Sequence, residues 1–176
     1  MPLAVQPDEH LPPHSCALLV AGNGSFNPEV SVPPVALVEA LGADLPVLGI
    51  EWGMQALNAA YGGRAPIESP SHNVPESPSR HRVFLTMGGK VSSIVGGAGV
   101  VAVKGRHAHG ITEARRGKGL MSSAFAVEDG IVEAIEIPGD HFIIGVQWPV
   151  HLPGVPAGFE NLIPALADRA RGGPPA

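Results

Sequence analysis

Cysteine is nearly absent from this sequence, which has one, Cys16, among 176 residues. A single cysteine excludes an internal disulfide framework, and it makes a cytoplasmic location the simplest expectation. Because Cys16 begins an apolar run and has no histidine close to it in the sequence, we interpret it as a small core residue rather than a nucleophile.

Positive charge and long apolar runs are also scarce. Lysine and arginine together number 11, the net charge is −5, and the one basic cluster, residues 115–118, is short. We therefore expect no nucleic-acid partner. The first 15 residues contain four prolines and two acidic residues without a continuous apolar segment, so we expect neither a signal peptide nor a membrane partner.

The residues that are abundant indicate a compact, loop-rich α/β protein. Apolar residues make up 44% of the chain, charged residues 15%, and there are 23 glycines and 19 prolines. The length suits one domain with a real core. We predict a flexible tail at 1–14, a single domain at 15–171 and a second flexible tail at 172–176.

The stretch Pro46–Gly63, PVLGIEWGMQALNAAYGG, organises the chain. It reads as a short apolar strand, a sharp turn and a helix with apolar residues at helical spacing. Glu51 stands at the tip of the turn between Gly49 and Gly53, where a Cβ on either neighbour would crowd the backbone. The pattern predicts a carboxylate presented beside the partial positive charge of a helix N-terminus.

The segment Gly49–Asn58, followed by Tyr61-Gly62-Gly63, resembles the elbow of class I glutamine amidotransferase-like hydrolases of the γ-glutamyl-γ-aminobutyrate hydrolase type. That resemblance implies a three-layer αβα flavodoxin-like sandwich with a mostly parallel sheet. Because the family usually carries a further β-α-β unit, we expect a fold trimmed at its N-terminus. The exposed sheet edge would then be covered by the N-terminal tail, a partner protein or a second copy in a homodimer.

Further matches follow in the family's order. The loop after the first strand resembles the glycine turn of the oxyanion hole, and the segments 104–111 and 145–148 resemble substrate-binding and final-strand motifs. The substrate-binding residues that this implies are Gly22, Asn23, Gly24, Trp52, Gln55, His109 and Trp148. The departures lie at the catalytic positions, because Glu51 replaces the nucleophilic cysteine, Pro149 the basic histidine, and His151 the orienting glutamate.

Local patterns give several more expectations. Residues 83–85 and 91–94 suggest a β-hairpin around Gly88-Gly89, and residues 161–171 suggest a closing helix. We expect His72 to be a solvated loop histidine. The His107-x-His109 pair can be read as two metal ligands, but without a third ligand at clear spacing we expect no metal, and we expect no other cofactor.

Thiol amidohydrolysis needs a thiolate and a base, and both are missing from their expected positions. Glutaminase activity is therefore not expected, and two interpretations stay open. In one, the protein is a repurposed small-molecule enzyme with Glu51 as acid/base or nucleophile and His151 or His107 as its partner, catalysing hydrolysis, dehydration, cyclisation or isomerisation. In the other, it is a non-catalytic pseudoenzyme that binds a ligand or a partner protein, and Glu51 caps the elbow helix.

Overall fold

The computed structural model describes residues 3–22, 24–27, 32–73, 80–150 and 152–172. Nine strands and four helices lie in these ranges, together with three short 3₁₀ turns at Pro70–His72, Glu113–Arg115 and Phe159–Asn161. The strands are β1 (Leu18–Gly22), β2 (Val47–Glu51), β3 (Ile67–Glu68), β4 (Arg80–Leu85), β5 (Gly99–Lys104), β6 (His109–Gly110), β7 (Met121–Ala126), β8 (Val132–Glu136) and β9 (Ile143–Val146). The helices are α1 (Val35–Gly42), α2 (Trp52–Ala60), α3 (Lys90–Val95) and α4 (Leu162–Ala170).

Seven of the strands form one sheet in the order β1-β2-β9-β8-β7-β4-β5, and β3 pairs with β6 in a separate ladder. Parallel pairing is confined to β1, β2 and β9, while the other neighbours in the large sheet are antiparallel. The expectation of a mostly parallel sheet is therefore wrong. The reason is that β7, β8 and β9 follow one another through short turns, which favour antiparallel neighbours.

Helices cover both faces of the large sheet and make the three-layer αβα, flavodoxin-like sandwich that was predicted. On one face, α1 and α2 pack their apolar side chains, such as Leu37 and Met54, into a core with β1. On the other, α3 and α4 contribute Val91, Leu162 and Leu166 to a second core. Apolar residues of β2 enter both cores because successive side chains of a strand point to opposite faces.

Residues 90–95 form the helix α3 rather than the second strand of a hairpin, so that prediction is wrong. The physical reason is Glu136 of β8, whose buried carboxylate accepts hydrogen bonds from the backbone N–H groups of Lys90 and Val91 at 2.8 and 3.0 Å. These N–H groups belong to the first turn of the helix and need acceptors. The Gly-Gly pattern is compatible with either a hairpin or a helix start, and the carboxylate of Glu136, distant in the sequence, favours the helix.

The segment before β1 is held against α1. The carboxylate of Glu39 lies 2.6 Å from Nδ1 of His10 and accepts a hydrogen bond from the N–H of Leu11 at 2.7 Å. The N–H of Val35 donates to the carbonyl of Pro7. The domain limits at 15 and 171 stay predictions. Within the described ranges no helix combines the length and the apolar character needed to cross a membrane.

Candidate active site

The elbow has the geometry that its glycines predict. Glu51 ends β2 and precedes α2 with φ 53° and ψ −109°, a conformation that side-chain-bearing residues rarely adopt. A Cβ on Gly49 would lie 2.6 Å from the carbonyl oxygen of Gly53, and a Cβ on Gly53 would lie 2.0 Å from that of Val20. The turn is therefore fixed by backbone contacts, and Glu51 is held at its tip.

Glu51 opens onto a cleft of about 260 Å³. The other residues that line it are Lys104, Gly105, Arg106, Pro149, Leu152, Pro153 and Val155. The lining thus combines two cationic side chains and one carboxylate with residues that are mostly apolar. In the described lining, Glu51 supplies the carboxylate, and the prolines have no titratable group. A small anion with an apolar portion fits this arrangement.

The predicted oxyanion loop is only partly described. Gly22 packs against Trp52, whose ring atoms would lie 3.4 Å from a Cβ at position 22, and Gly24 has a φ of 87° that favours glycine. Trp52 also makes an edge-to-face contact with Phe26, with ring centres 5.4 Å apart. Asn23 and His151, two of the predicted site residues, lie outside the described residues.

Gln55 and Trp148, two predicted substrate-binding residues, are buried. Oε1 of Gln55 accepts a hydrogen bond from the N–H of Phe26, and its Nε2 donates to Oε1 of Gln147 and to the carbonyl of His109. Trp148 is fully buried in the core and contacts Phe159. Neither residue lines the cleft in the described structure. If these two residues contribute to substrate binding, they do so indirectly, by positioning neighbouring segments such as those around Phe26 and His109.

Behind the cleft wall lies a buried cluster that consists of His72, His81, His107 and Glu133, which we call the histidine cluster. Their exposed fractions are 1, 8, 7 and 0%. Oε1 of Glu133 lies 3.3 Å from Nδ1 of His72, 3.1 Å from Nε2 of His81 and 3.3 Å from Nε2 of His107. A Cβ added to the cleft residue Gly105 would come within 3.8 Å of the ring of His81.

Two of the cluster histidines are oriented from behind by a second partner. Nε2 of His72 lies 3.0 Å from Oδ2 of Asp129, and Nδ1 of His107 lies 3.0 Å from the carbonyl oxygen of His109. The predicted solvated position of His72 is therefore wrong, because the Pro70–His72 turn folds inward onto the sheet. His107, a predicted catalytic residue, has cluster partners instead of a position among the cleft-lining residues.

Charge within the cluster is balanced. Burial acts to raise the pKa of Glu133, but the facing imidazoles of His107, His72 and His81 outweigh it and hold that pKa well below its ordinary value. Burial acts to lower the pKa of His72, whereas contact with Glu133 and Asp129 outweighs it and raises that pKa. The cluster thus favours an ionised Glu133 together with a compensating positive charge.

The ring of His109 has a partner outside the cluster, because its Nδ1 lies 2.8 Å from the hydroxyl oxygen of Ser25. The His107-x-His109 pair therefore does not act as one unit. The partners of His107 in the cluster are His72, His81 and Glu133, and their spacing in the sequence follows no recognisable motif. A signal that was available is Glu133 itself, since a carboxylate inside an apolar strand pattern is rarely buried without a cation or histidines around it.

Comparison with known proteins assigns the family. The sequence signature of Peptidase C26 matches residues 22–151, which include the elbow, the cleft residues up to Pro149 and the histidine cluster. The chain belongs to the Peptidase C26 family. This membership confirms the predicted likeness to class I glutamine amidotransferases at the level of the family.

Three relatives support the assignment to Peptidase C26. A Mycobacterium tuberculosis protein classed by name as a glutamine amidotransferase is 34% identical over 140 residues, which are 76% of this chain and 43% of that protein. A Schizosaccharomyces pombe protein of the same description is 36% identical over 62% of this chain and 44% of its own length. A glutamine amidotransferase-like protein of Rickettsia prowazekii is 28% identical over 65% and 56%. The chain thus spans about half the length of these relatives.

Two solved structures share the fold of this Peptidase C26 member. The glutaminase domain of Trypanosoma brucei CTPS, with bound acivicin, aligns with a TM-score of 0.72 at 17% identity, covering 99% of this chain and 81% of that one. A Thermoplasma acidophilum protein described as part of a GMP synthase aligns with a TM-score of 0.63 at 15% identity, covering 90% and 76%. At such identities the likeness concerns the fold alone.

Proposed function

We propose that this chain is a divergent glutamine amidotransferase-like protein, of γ-glutamyl-γ-aminobutyrate hydrolase ancestry, that no longer performs thiol chemistry. In the resemblance read from the sequence, the elbow tip is the place of the nucleophilic cysteine, and Glu51 stands there. Pro149 stands at the place of the basic histidine. Since loss of triad members lowers the rates of such enzymes by roughly 10⁴- to 10⁶-fold, glutaminase activity is not proposed.

The function that we propose instead is catalysis on a small anionic molecule, with Glu51 as general acid/base or nucleophile. The observation that carries this proposal is the backbone of Glu51, whose φ of 53° and ψ of −109° hold its carboxylate at the edge of the cleft. Backbone strain of about 1–3 kcal/mol persists where the surrounding fold enforces it, and such positions cluster at functional sites.

Lys104 and Arg106 supply the recognition element. Both line the cleft together with Glu51, and the Arg106 Nε donates to Oδ1 of Asn73 at 2.8 Å, which limits where its guanidinium can lie. A carboxylate or phosphate bound by the two cations would place the rest of the molecule over the elbow. Glu51 can then accept a proton from a carbon, a hydroxyl or a water molecule and return it to a leaving group, which suits hydrolysis, dehydration, cyclisation or isomerisation.

The deciding experiment compares metabolite extracts of the source organism after incubation with the wild-type chain, with Glu51→Gln and with Glu68→Gln. Glu68 is an exposed carboxylate of β3, so its variant is a matched control for the charge change. We expect one metabolite to decrease with the wild type and the control but not with Glu51→Gln. The mass difference between substrate and product identifies the reaction class. No change with any of the three proteins contradicts the catalytic proposal.

One observation favours a second function, ligand binding without turnover. Apart from Glu51, the described cleft residues are two cations, one glycine and apolar residues, so this described part of the lining offers no second carboxylate or imidazole. A pseudoenzyme of this kind would bind the same class of anion. Thermal-shift screening with carboxylates and phosphates, using Lys104→Met and Arg106→Met, separates the two functions. In the binding protein, both variants weaken binding by about tenfold, and neither the wild type nor Glu51→Gln consumes the ligand.

A further inference from the structure

We propose that His72, His81, His107 and Glu133 form a closed, four-coordinate site for a zinc ion, Zn²⁺. One ligand atom from each residue can be chosen so that all four lie within 4.8 Å of one another. Three imidazole nitrogens and one carboxylate oxygen are ligands that zinc takes in proteins, and four protein ligands without an open position characterise a structural site.

The distances fit a tetrahedron around zinc. With zinc–nitrogen distances of about 2.0–2.1 Å, the edge of a coordination tetrahedron is about 3.3 Å. The Oε1 atom of Glu133 lies 3.1–3.3 Å from the three ring nitrogens, and Nδ1 of His72 lies 2.9 Å from Nε2 of His107. Four of the six distances among the ligand atoms therefore match the edge of a coordination tetrahedron.

In their neutral forms, His72 and His107 each direct an unprotonated ring nitrogen toward the other. The carbonyl oxygen of His109 can only accept, so Nδ1 of His107 carries the proton and Nε2 of neutral His107 presents a lone pair. The carboxylate of Asp129 assigns the proton of His72 to Nε2 in the same way, so Nδ1 of neutral His72 presents a lone pair as well. Two lone pairs 2.9 Å apart, beside an ionised carboxylate, repel one another unless a proton or a metal ion lies between them.

Buried polar atoms at the same place lack other partners. Both carboxylate oxygens of Glu133 and both ring nitrogens of His81 are buried and form no hydrogen bond in the described structure, although the two side chains are 3.1 Å apart. Their approach is close but not aligned as a hydrogen bond. Buried polar groups without a partner destabilise a folded protein, and a shared metal ion would satisfy Glu133 and one nitrogen of His81.

The hydrogen-bond acceptors of His72 and His107 are of the kinds that commonly support zinc-bound histidines. Metal-bound histidines commonly donate their second N–H to a carboxylate or to a backbone carbonyl, which fixes the tautomer. Asp129 serves His72 in this way and the carbonyl of His109 serves His107. The bound ion would fasten the 3₁₀ turn Pro70–His72, β4, the segment after β5 and β8 to one point, directly behind the cleft wall formed by residues 104–106.

The test measures metal directly and does not depend on any activity of Glu51. The full chain, freed of any affinity tag, is saturated with zinc, desalted and analysed by mass spectrometry for zinc, iron, manganese, cobalt and nickel. We expect about one equivalent of zinc per chain. His81→Ala and Glu133→Gln should lose most of it, whereas His141→Ala, which removes an exposed histidine outside the cluster, should retain it.

A second readout covers variants that fold poorly. Cobalt added to the metal-free wild-type chain should produce the strong visible absorption of tetrahedral cobalt, and zinc should abolish that absorption. A folded wild-type chain that retains no zinc and shows no such absorption overturns the proposal, and the cluster is then held by a proton instead. Stoichiometric iron or manganese in place of zinc overturns the assignment to a closed zinc site.

Discussion

Gly53 and Val20 pack so closely that a Cβ at position 53 would lie 2.0 Å from the carbonyl oxygen of Val20. The contact joins the first turn of α2 to the edge strand β1, and backbone atoms form both sides of it. No side-chain rotation can relieve such an overlap, so the strand and the helix would have to separate.

The first prediction follows from this contact. Gly53→Ala should destabilise the protein by about 3 kcal/mol, at the upper end of the cost of overpacking, because the backbone of β1 must move. Urea unfolding followed by circular dichroism measures the change. Gly42→Ala is the matched control, since a Cβ there meets nothing within 4 Å, and it should leave stability unchanged or raise it by up to about 1 kcal/mol. Equal effects of the two substitutions would contradict the packing described.

Glu136 leads to a second prediction. Its carboxylate, 1% exposed, accepts the first N–H groups of α3, so Glu136→Ala leaves these donors buried without an acceptor. We expect a loss of about 2–3 kcal/mol in the free energy of unfolding. The exposed Glu68 provides the control, and Glu68→Ala should change stability by less than about 0.5 kcal/mol. Hydrogen exchange should locate the loss in residues 90–95, and unchanged protection there would refute the capping role.

The zinc proposal predicts a graded effect for Asp129, which touches a ligand but is not one. Asp129→Asn should weaken zinc binding by about 10- to 100-fold, because Nε2 of His72 loses its charged acceptor. Competition against a chromophoric chelator measures the affinity. Glu128→Gln, which removes the neighbouring carboxylate paired with Arg82, is the control and should bind zinc as tightly as the wild type. Identical affinities for both variants would exclude the supporting role of Asp129.

A fourth prediction concerns pH. The hydrogen bond to Glu39, together with its charge, raises the pKa of His10 above 6.5, and the same hydrogen bond lowers the pKa of Glu39 below 4.5. The contribution of His10 to stability is complete below its unfolded pKa of 6.5 and is lost as pH rises through the raised value. That of Glu39 is complete above 4.5 and is lost as pH falls through the lowered value.

The pair should therefore stabilise the docking of the N-terminal segment most between these two limits. Nuclear magnetic resonance titration of His10 measures it directly. With Glu39→Gln, the pKa of His10 should fall back toward 6.5. A His10 pKa that does not respond would show that the segment is not held by this contact in solution.

The elbow could be predicted from the sequence because everything that forms it lies within a few residues. Gly49 and Gly53 permit the close backbone approach, and Glu51 stands between them. The closing helix predicted at residues 161–171 is likewise confirmed as α4, since an apolar helical pattern is a local signal.

The features that were missed depend on contacts across the sheet. The helix α3 forms because of Glu136, and no pattern near residues 88–95 contains that information. The histidine cluster is assembled from a 3₁₀ turn, the strands β4 and β8, and the segment after β5, so its members are adjacent in space alone. Sequence reasoning could find each histidine, but it could not decide which of them turn inward.

The position of β9 in the sheet determines when the large sheet can finish assembling during synthesis. Strand β9 is the last of the described strands, yet it lies between β2 and β8 and joins the parallel half of the described sheet to the antiparallel half. During synthesis, β1 and β2 can pair early, and β4, β5, β7 and β8 can pair among themselves, but the two halves stay separate until residues 143–146 have left the ribosome. Until then both inner edges are open to strands of other chains.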